Sequence, residues 1–189
     1  KSALFKKARA DIDGRHGQRA ILVDIKDLDC AGAARRLSEE LMDLKITPDA
    51  EITEDWDVLC RNIKRRLRSE RDEIPYFLLM LDEADRFIQD CEAHGYRPLV
   101  ALKDIQQSLP GQFKYVLAGL HDVVKFNRQV ALGNNSVITH MPNLKITPFR
   151  TPEAQELLTL PLSYLGFSLP SKVTVSQILA TCNYFPGLI

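Results

Sequence analysis

Two adjacent carboxylates, Asp82 and Glu83, close an apolar run, Tyr76-Phe77-Leu78-Leu79-Met80-Leu81, and Asp85 follows two positions on. A short run of large apolar residues entered from a proline, here Pro75, reads as a strand buried on both faces of a parallel sheet. In α/β sheets ligands bind just beyond the carboxyl ends of the strands, which is where these acids fall. One carboxylate there can hold a divalent cation while its neighbour polarises a water for attack. The plain alternative is a strand running into a helix with an acidic first turn, because carboxylates favour helix N-termini.

The chain opens Lys1-Ser2 and continues into a good helix-forming stretch, Ala3-Leu4-Phe5-Lys6-Lys7-Ala8. These two residues match the last positions of the phosphate-binding pattern G-x-x-x-x-G-K-[ST], which runs straight into a helix. In that chemistry the lysine meets the β/γ-phosphates, the hydroxyl meets Mg²⁺, and glycine-loop N–H groups cradle the phosphates. A Lys-Ser pair by itself says little. Its place ahead of a strand, further helix and the acid-ended strand is the order a nucleotide site requires. That order predicts a short apolar strand and a glycine loop before Lys1, with Gly immediately preceding it.

The elements that must position these groups alternate along the chain. After the first helix, Asp13-Gly14-Arg15-His16-Gly17 is a turn cluster, and Ala20–Ile25 reads as a buried strand. Gly32 to Leu44 has helical spacing, with Leu37, Leu41 and Leu44 on one side, and Thr47-Pro48-Asp49 breaks it. Trp56, Leu59, Ile63 and Leu67 stripe a helix over 54–70. That helix also bears Arg61, Lys64, Arg65, Arg66 and Arg68, which could meet nucleic acid or phosphate but read more simply as a solvated face. Helices are expected over 84–93 and around Leu99 to Leu109, then strands at Phe113–Gly119 and Val137–Met141. Such alternation specifies a parallel sheet with helices on both faces.

Past Lys145 the character changes. Thr151 reads as an N-cap with Pro152 at the first helical position, and Leu157, Leu158, Leu162 and Leu165 continue helically. A second helix is expected from Thr174 to Cys182, and no strand signal follows Met141 beyond an edge at Leu144–Ile146. The organisation expected is therefore a core over 1–148 and the start of a small helical domain over 149–189.

Composition narrows the classes. With 45% hydrophobic and 26% charged residues the chain is ordinary for a globular protein. Its 25 basic and 25 acidic side chains cancel, so no global field points to nucleic acid or a membrane surface. No apolar stretch has the length of a membrane span. Cys30, Cys60, Cys91 and Cys182 are widely spaced, without a C-x-x-C pair, and read as reduced thiols of a cytosolic protein.

Taken together these features resemble the AAA+/STAND class of P-loop ATPases. The acid-ended strand resembles a Walker B element. Glu153-Ala154-Gln155-Glu156-Leu157-Leu158 with Pro161-Leu162 and Leu165-Gly166 resembles a helix of the prokaryotic STAND lid, and Tyr184-Phe185-Pro186 its adenine-proximal motif. The resemblance implies an ATP- and Mg²⁺-binding, cytoplasmic ATPase domain with a helical lid. In it Lys1 would contact phosphates, Ser2 and Asp82 would hold Mg²⁺, and Glu83 would orient the attacking water. Pro186 would line the base pocket, and His121, in Leu120-His121-Asp122 after the fourth strand of such a core, would sense the γ-phosphate. His121 reads equally as a loop histidine capping local backbone. Arg128 and Arg150 are both available as an arginine finger, with no pattern to choose between them. ATP/ADP and other domains of a longer chain would be the partners, with a homo-oligomer left open.

Leu81-Asp82-Glu83-Ala84-Asp85-Arg86 also spells the acid motif of DEAD-box helicases. Those carry Ser-Ala-Thr where this chain has Ala118-Gly119-Leu120, and a second sheet domain where this tail is helical. Two functional classes follow: an ATP-driven switch, or a nucleotide-binding interaction module with negligible turnover. A nucleic-acid-dependent ATPase using the Arg61–Arg68 helix is a third.

Overall fold

The computed structural model describes residues 2–47, 51–131 and 147–184, in two compact units that divide at Pro142/Asn143. The first unit is built on three strands: β1 (Gln18–Asp24), β2 (Tyr76–Asp82) and β3 (Phe113–Leu117). They lie in the order β1-β2-β3 and all run parallel, so the acid-ended strand is the middle one. The register pairs Asp24 with Asp82 at the carboxyl rim and Leu81 with Leu117 one step inside it. Parallel strands need long crossovers, and helices supply them. They are α1 (Ser2–Asp13), α2 (Cys30–Asp43), α3 (Trp56–Ser69), α4 (Asp85–Ala93), α5 (Arg97–Ser108) and α6 (Asp122–Ala131).

Alternation along β2 divides its side chains between two layers. Phe77, Leu79 and Leu81 enter the main core, which gathers Leu37 and Leu41 from α2, Ile63 and Leu67 from α3, Phe87 from α4, Leu102 from α5 and Phe126 from α6. Leu78 and Met80 face the other way, with Ala20, and are covered by Phe5, Ala8 and Ile12 of α1. The expected α/β class, a parallel sheet flanked by helices, is what forms.

Local chemistry sets the boundaries. The α2 helix starts two residues earlier than its leucine spacing indicates, because the Asp29 side chain caps Gly32 N–H at 2.8 Å. Asp55 does the same for α3, accepting from the Asp57 and Val58 N–H groups. Arg61, Arg65 and Arg68 lie on the exposed side of α3, opposite its buried Trp56 stripe. The α6 helix had no sequence expectation.

The second unit contains α7 (Thr151–Tyr164) and α8 (Lys172–Thr181). Thr151 is the first helical residue of α7 rather than its cap. Arg150 is the N-cap, and its N–H is held by the Glu153 carboxylate at 3.0 Å. Ser171 caps α8, which begins two residues before the expected Thr174, by accepting from Thr174 N–H. The strand expected at Val137–Met141 and the edge at Leu144–Ile146 lie outside the described residues, as do Pro48 and Asp49.

Candidate functional site

The carboxyl rim of the sheet is assembled from the backbone outward. Asp82 is 4% exposed, and its carbonyl accepts from Ile25 N–H at 3.0 Å, tying the exit of β2 to that of β1. Asp82 Oδ1 accepts from the N–H of Glu83 at 3.0 Å, which fixes the carboxylate against its own chain. Glu83 is half-buried and takes φ 56°, the left-handed region that side chains other than glycine seldom adopt. The reversal lets Ala84 N–H reach the Ala118 carbonyl at 2.8 Å, and α4 starts at the next residue. Asp24 stands exposed beside this edge and accepts from Lys26 N–H.

Asp85 was expected to be a helix first-turn acid. It is that, and more. Its carboxylate reaches across to the loop after β3 and accepts from the N–H groups of Leu120 at 2.7 Å, Asp122 at 2.8 Å and Val123 at 3.3 Å. It therefore caps α6 from a neighbouring helix. Partial burial pushes its pKa up, but the N–H groups of Leu120, Val123, Asp122 and His121 outweigh this and hold it below the usual carboxylate value. Gly119 makes the approach feasible: a Cβ there would stand 2.8 Å from Asp85 Oδ2 and 2.5 Å from the Val123 side chain. The glycine that closes the expected strand Phe113–Gly119, two residues past the end of β3, was the available signal. The partner 34 positions upstream is what the sequence hid.

His121 sits on this same loop, exposed, with its carbonyl accepting from Lys125 N–H at 2.9 Å. The rim thus gathers Asp82, Glu83, Asp85 and the His121 loop at the carboxyl ends of β2 and β3. Lys1 and Pro186 lie outside the described residues; Ser2 opens α1, with its side chain outside them. No group of three or more metal-ligating side chains occurs among the described residues. None of the described helices is long and apolar enough to cross a membrane.

Three parallel strands flanked by helices, the middle one ending in acids, make an α/β fold. A solved structure, the Walker-type ATPase of Pyrococcus abyssi, matches 95% of this chain with a TM-score of 0.63 at 16% identity. This chain spans 55% of that protein's length, and at such identity the likeness is one of fold. Neither a known protein family nor a curated protein matches the sequence.

Proposed function

We propose that the chain is the ATP-binding, ATP-hydrolysing switch portion of a larger protein of the AAA+/STAND class. The observation that supports it most is Glu83. It is a carboxylate kept at a left-handed position beside a buried aspartate, at the carboxyl end of the middle strand. A residue held in such a conformation costs of order 1 kcal/mol or more, and such residues cluster where a site needs them.

The donor chemistry fits a magnesium nucleotide. Mg²⁺ takes hard oxygen ligands, typically one or two carboxylates plus waters and phosphates, and Asp82 offers a carboxylate steadied by Glu83 N–H. Asp82 would hold the ion, directly or through water, with Ser2 as the second protein ligand. When bound, Mg²⁺ would neutralise charge on the phosphate oxygens. Lys1 would contact the β- and γ-phosphates, and Pro186 would line the base pocket. Glu83 would accept a hydrogen bond from the attacking water and orient it. His121 would read the γ-phosphate from the loop that Asp85 positions. ATP and ADP would be the ligands, and the nucleotide state would control an effector or assembly elsewhere in the same chain.

The test is nucleotide binding and Mg²⁺-dependent hydrolysis by the full-length protein and by Glu83→Gln. Wild-type turnover, with a variant that keeps nucleotide but loses hydrolysis, is the expected result. If both bind and neither turns over, the chain is a nucleotide-binding module and the hydrolase reading fails.

A further inference from the structure

Cys30 and Cys91 are 61 positions apart in sequence, yet their sulfur atoms lie 3.3 Å apart. Cys30 is the first residue of α2 and half-buried, while Cys91 lies in α4 and is fully buried. The Cys30 backbone is held at both its polar groups. The Cys30 N–H is accepted by the Asp90 carboxylate at 2.9 Å, and the Cys30 carbonyl accepts from the Trp56 indole at 2.6 Å. A disulfide needs sulfurs about 2.05 Å apart, so closing the bond requires roughly 1.3 Å of motion, within the reach of side-chain rotation and a small helix shift.

We propose that Cys30 and Cys91 are a modification site: a thiol pair that a hydroperoxide converts to a reversible disulfide clamping α2 to α4. Cys30, the thiol that solvent reaches, attacks the peroxide. Its sulfur is oxidised to a sulfenic acid, the O–O bond breaks, and the peroxide is reduced to water when hydrogen peroxide is used. The Cys91 sulfur then displaces the sulfenic oxygen. The S–S bond forms, and that oxygen leaves as a second water with the Cys91 proton. A dithiol reverses the step by exchange. The hydrogen bond with Cys30 and then burial push the Cys91 thiol well above its ordinary pKa, so Cys91 waits as a protonated resolving thiol rather than an initiator. Disulfides of reducing compartments are typically transient and redox-sensing, which suits a half-exposed pair held in contact.

Hydrogen peroxide treatment of the full-length protein, followed by alkylation and peptide mass spectrometry, tests this independently of nucleotide. The expected product has lost two hydrogens, links the Cys30 and Cys91 peptides, and returns to two alkylatable thiols with dithiothreitol. The emission of Trp56, the sole tryptophan, should change and recover in step. Cys30→Ser and Cys91→Ala should each abolish the link and the fluorescence change, whereas Cys182→Ser should keep both. Circular dichroism establishes that each variant is folded. Folded protein in which Cys30 proceeds to sulfinic acid with Cys91 still alkylatable, or a link formed only after denaturation, would overturn the proposal.

Discussion

The two ends of the sheet use polar side chains in different ways. At the amino end Gln112 is buried, and its side-chain amide N–H groups donate to the carbonyls of Leu67 at 2.7 Å and Ile74 at 2.8 Å, while its backbone carbonyl receives Phe77 N–H. Those bonds join the end of α3, the approach to β2 and the approach to β3, which is a structural task. At the carboxyl end Asp85 has a comparable task, holding the loop after β3. The neighbouring Asp82 and Glu83 go beyond it. The strand-to-helix reversal requires a residue that tolerates positive φ, and glycine would do so without strain. A glutamate there is costly to the fold. The contrast separates groups whose task is to satisfy backbone from a glutamate at a position whose conformation glycine would adopt at less cost.

Substitutions at the two ends should break that contrast in opposite directions. Glu83→Gln should lower ATP hydrolysis by about 10²-fold or more, the range expected for a positioned proton acceptor, while leaving the unfolding midpoint nearly unchanged. Gln112→Ala should do the reverse. Two buried carbonyls lose their donor, at about 1–3 kcal/mol each, so urea denaturation should show a loss of about 2–6 kcal/mol with per-molecule turnover of the folded fraction retained. If Gln112→Ala also abolished hydrolysis in the folded fraction, the division between the two ends would fail.

Asp85 stands between these extremes. Asp85→Asn removes a charged acceptor from three N–H groups and should cost about 1–2 kcal/mol, loosening the loop that carries His121. Its pH dependence has a definite sign. The folded-state pKa lies below the unfolded value of about 3.9, so the stabilisation is present above that value and is lost as pH falls through the folded pKa. Asp90 is depressed in the same direction, mainly by Cys30 N–H. Wild type should therefore lose stability on acidification below about pH 4, and Asp85→Asn should flatten part of that slope.

Much of this was legible because it is local. Short runs rich in large apolar residues specified β1, β2 and β3, and apolar stripes at helical spacing specified α2, α3 and α5. What the sequence concealed is what other elements supply. The α6 helix begins under a cap donated by Asp85 of α4, so its own start carries no Ser, Thr or Asn signal, and Asp122 reads as loop. The Cys30–Cys91 contact joins residues whose spacing fits no ligand or disulfide pattern; only the packing of α2 on α4 brings them together. The two acids of the rim were legible because adjacent carboxylates at the end of a long apolar run stand out in the sequence itself. Asp85, whose duty is to a distant loop, could not.

The smallest effect discriminates best. Glu83→Gly should relieve the φ 56° strain and stabilise the protein by at most about 1 kcal/mol, offset in part by the added freedom of the unfolded chain. The same variant should lose hydrolysis as fully as Glu83→Gln, since both remove the carboxylate. A gain in stability with a loss of turnover at one position is the signature of a residue retained against the interest of the fold. Destabilisation by Glu83→Gly would mean instead that the side chain supports the β2–α4 turn, and Glu83 would then belong with Gln112 among the structural groups.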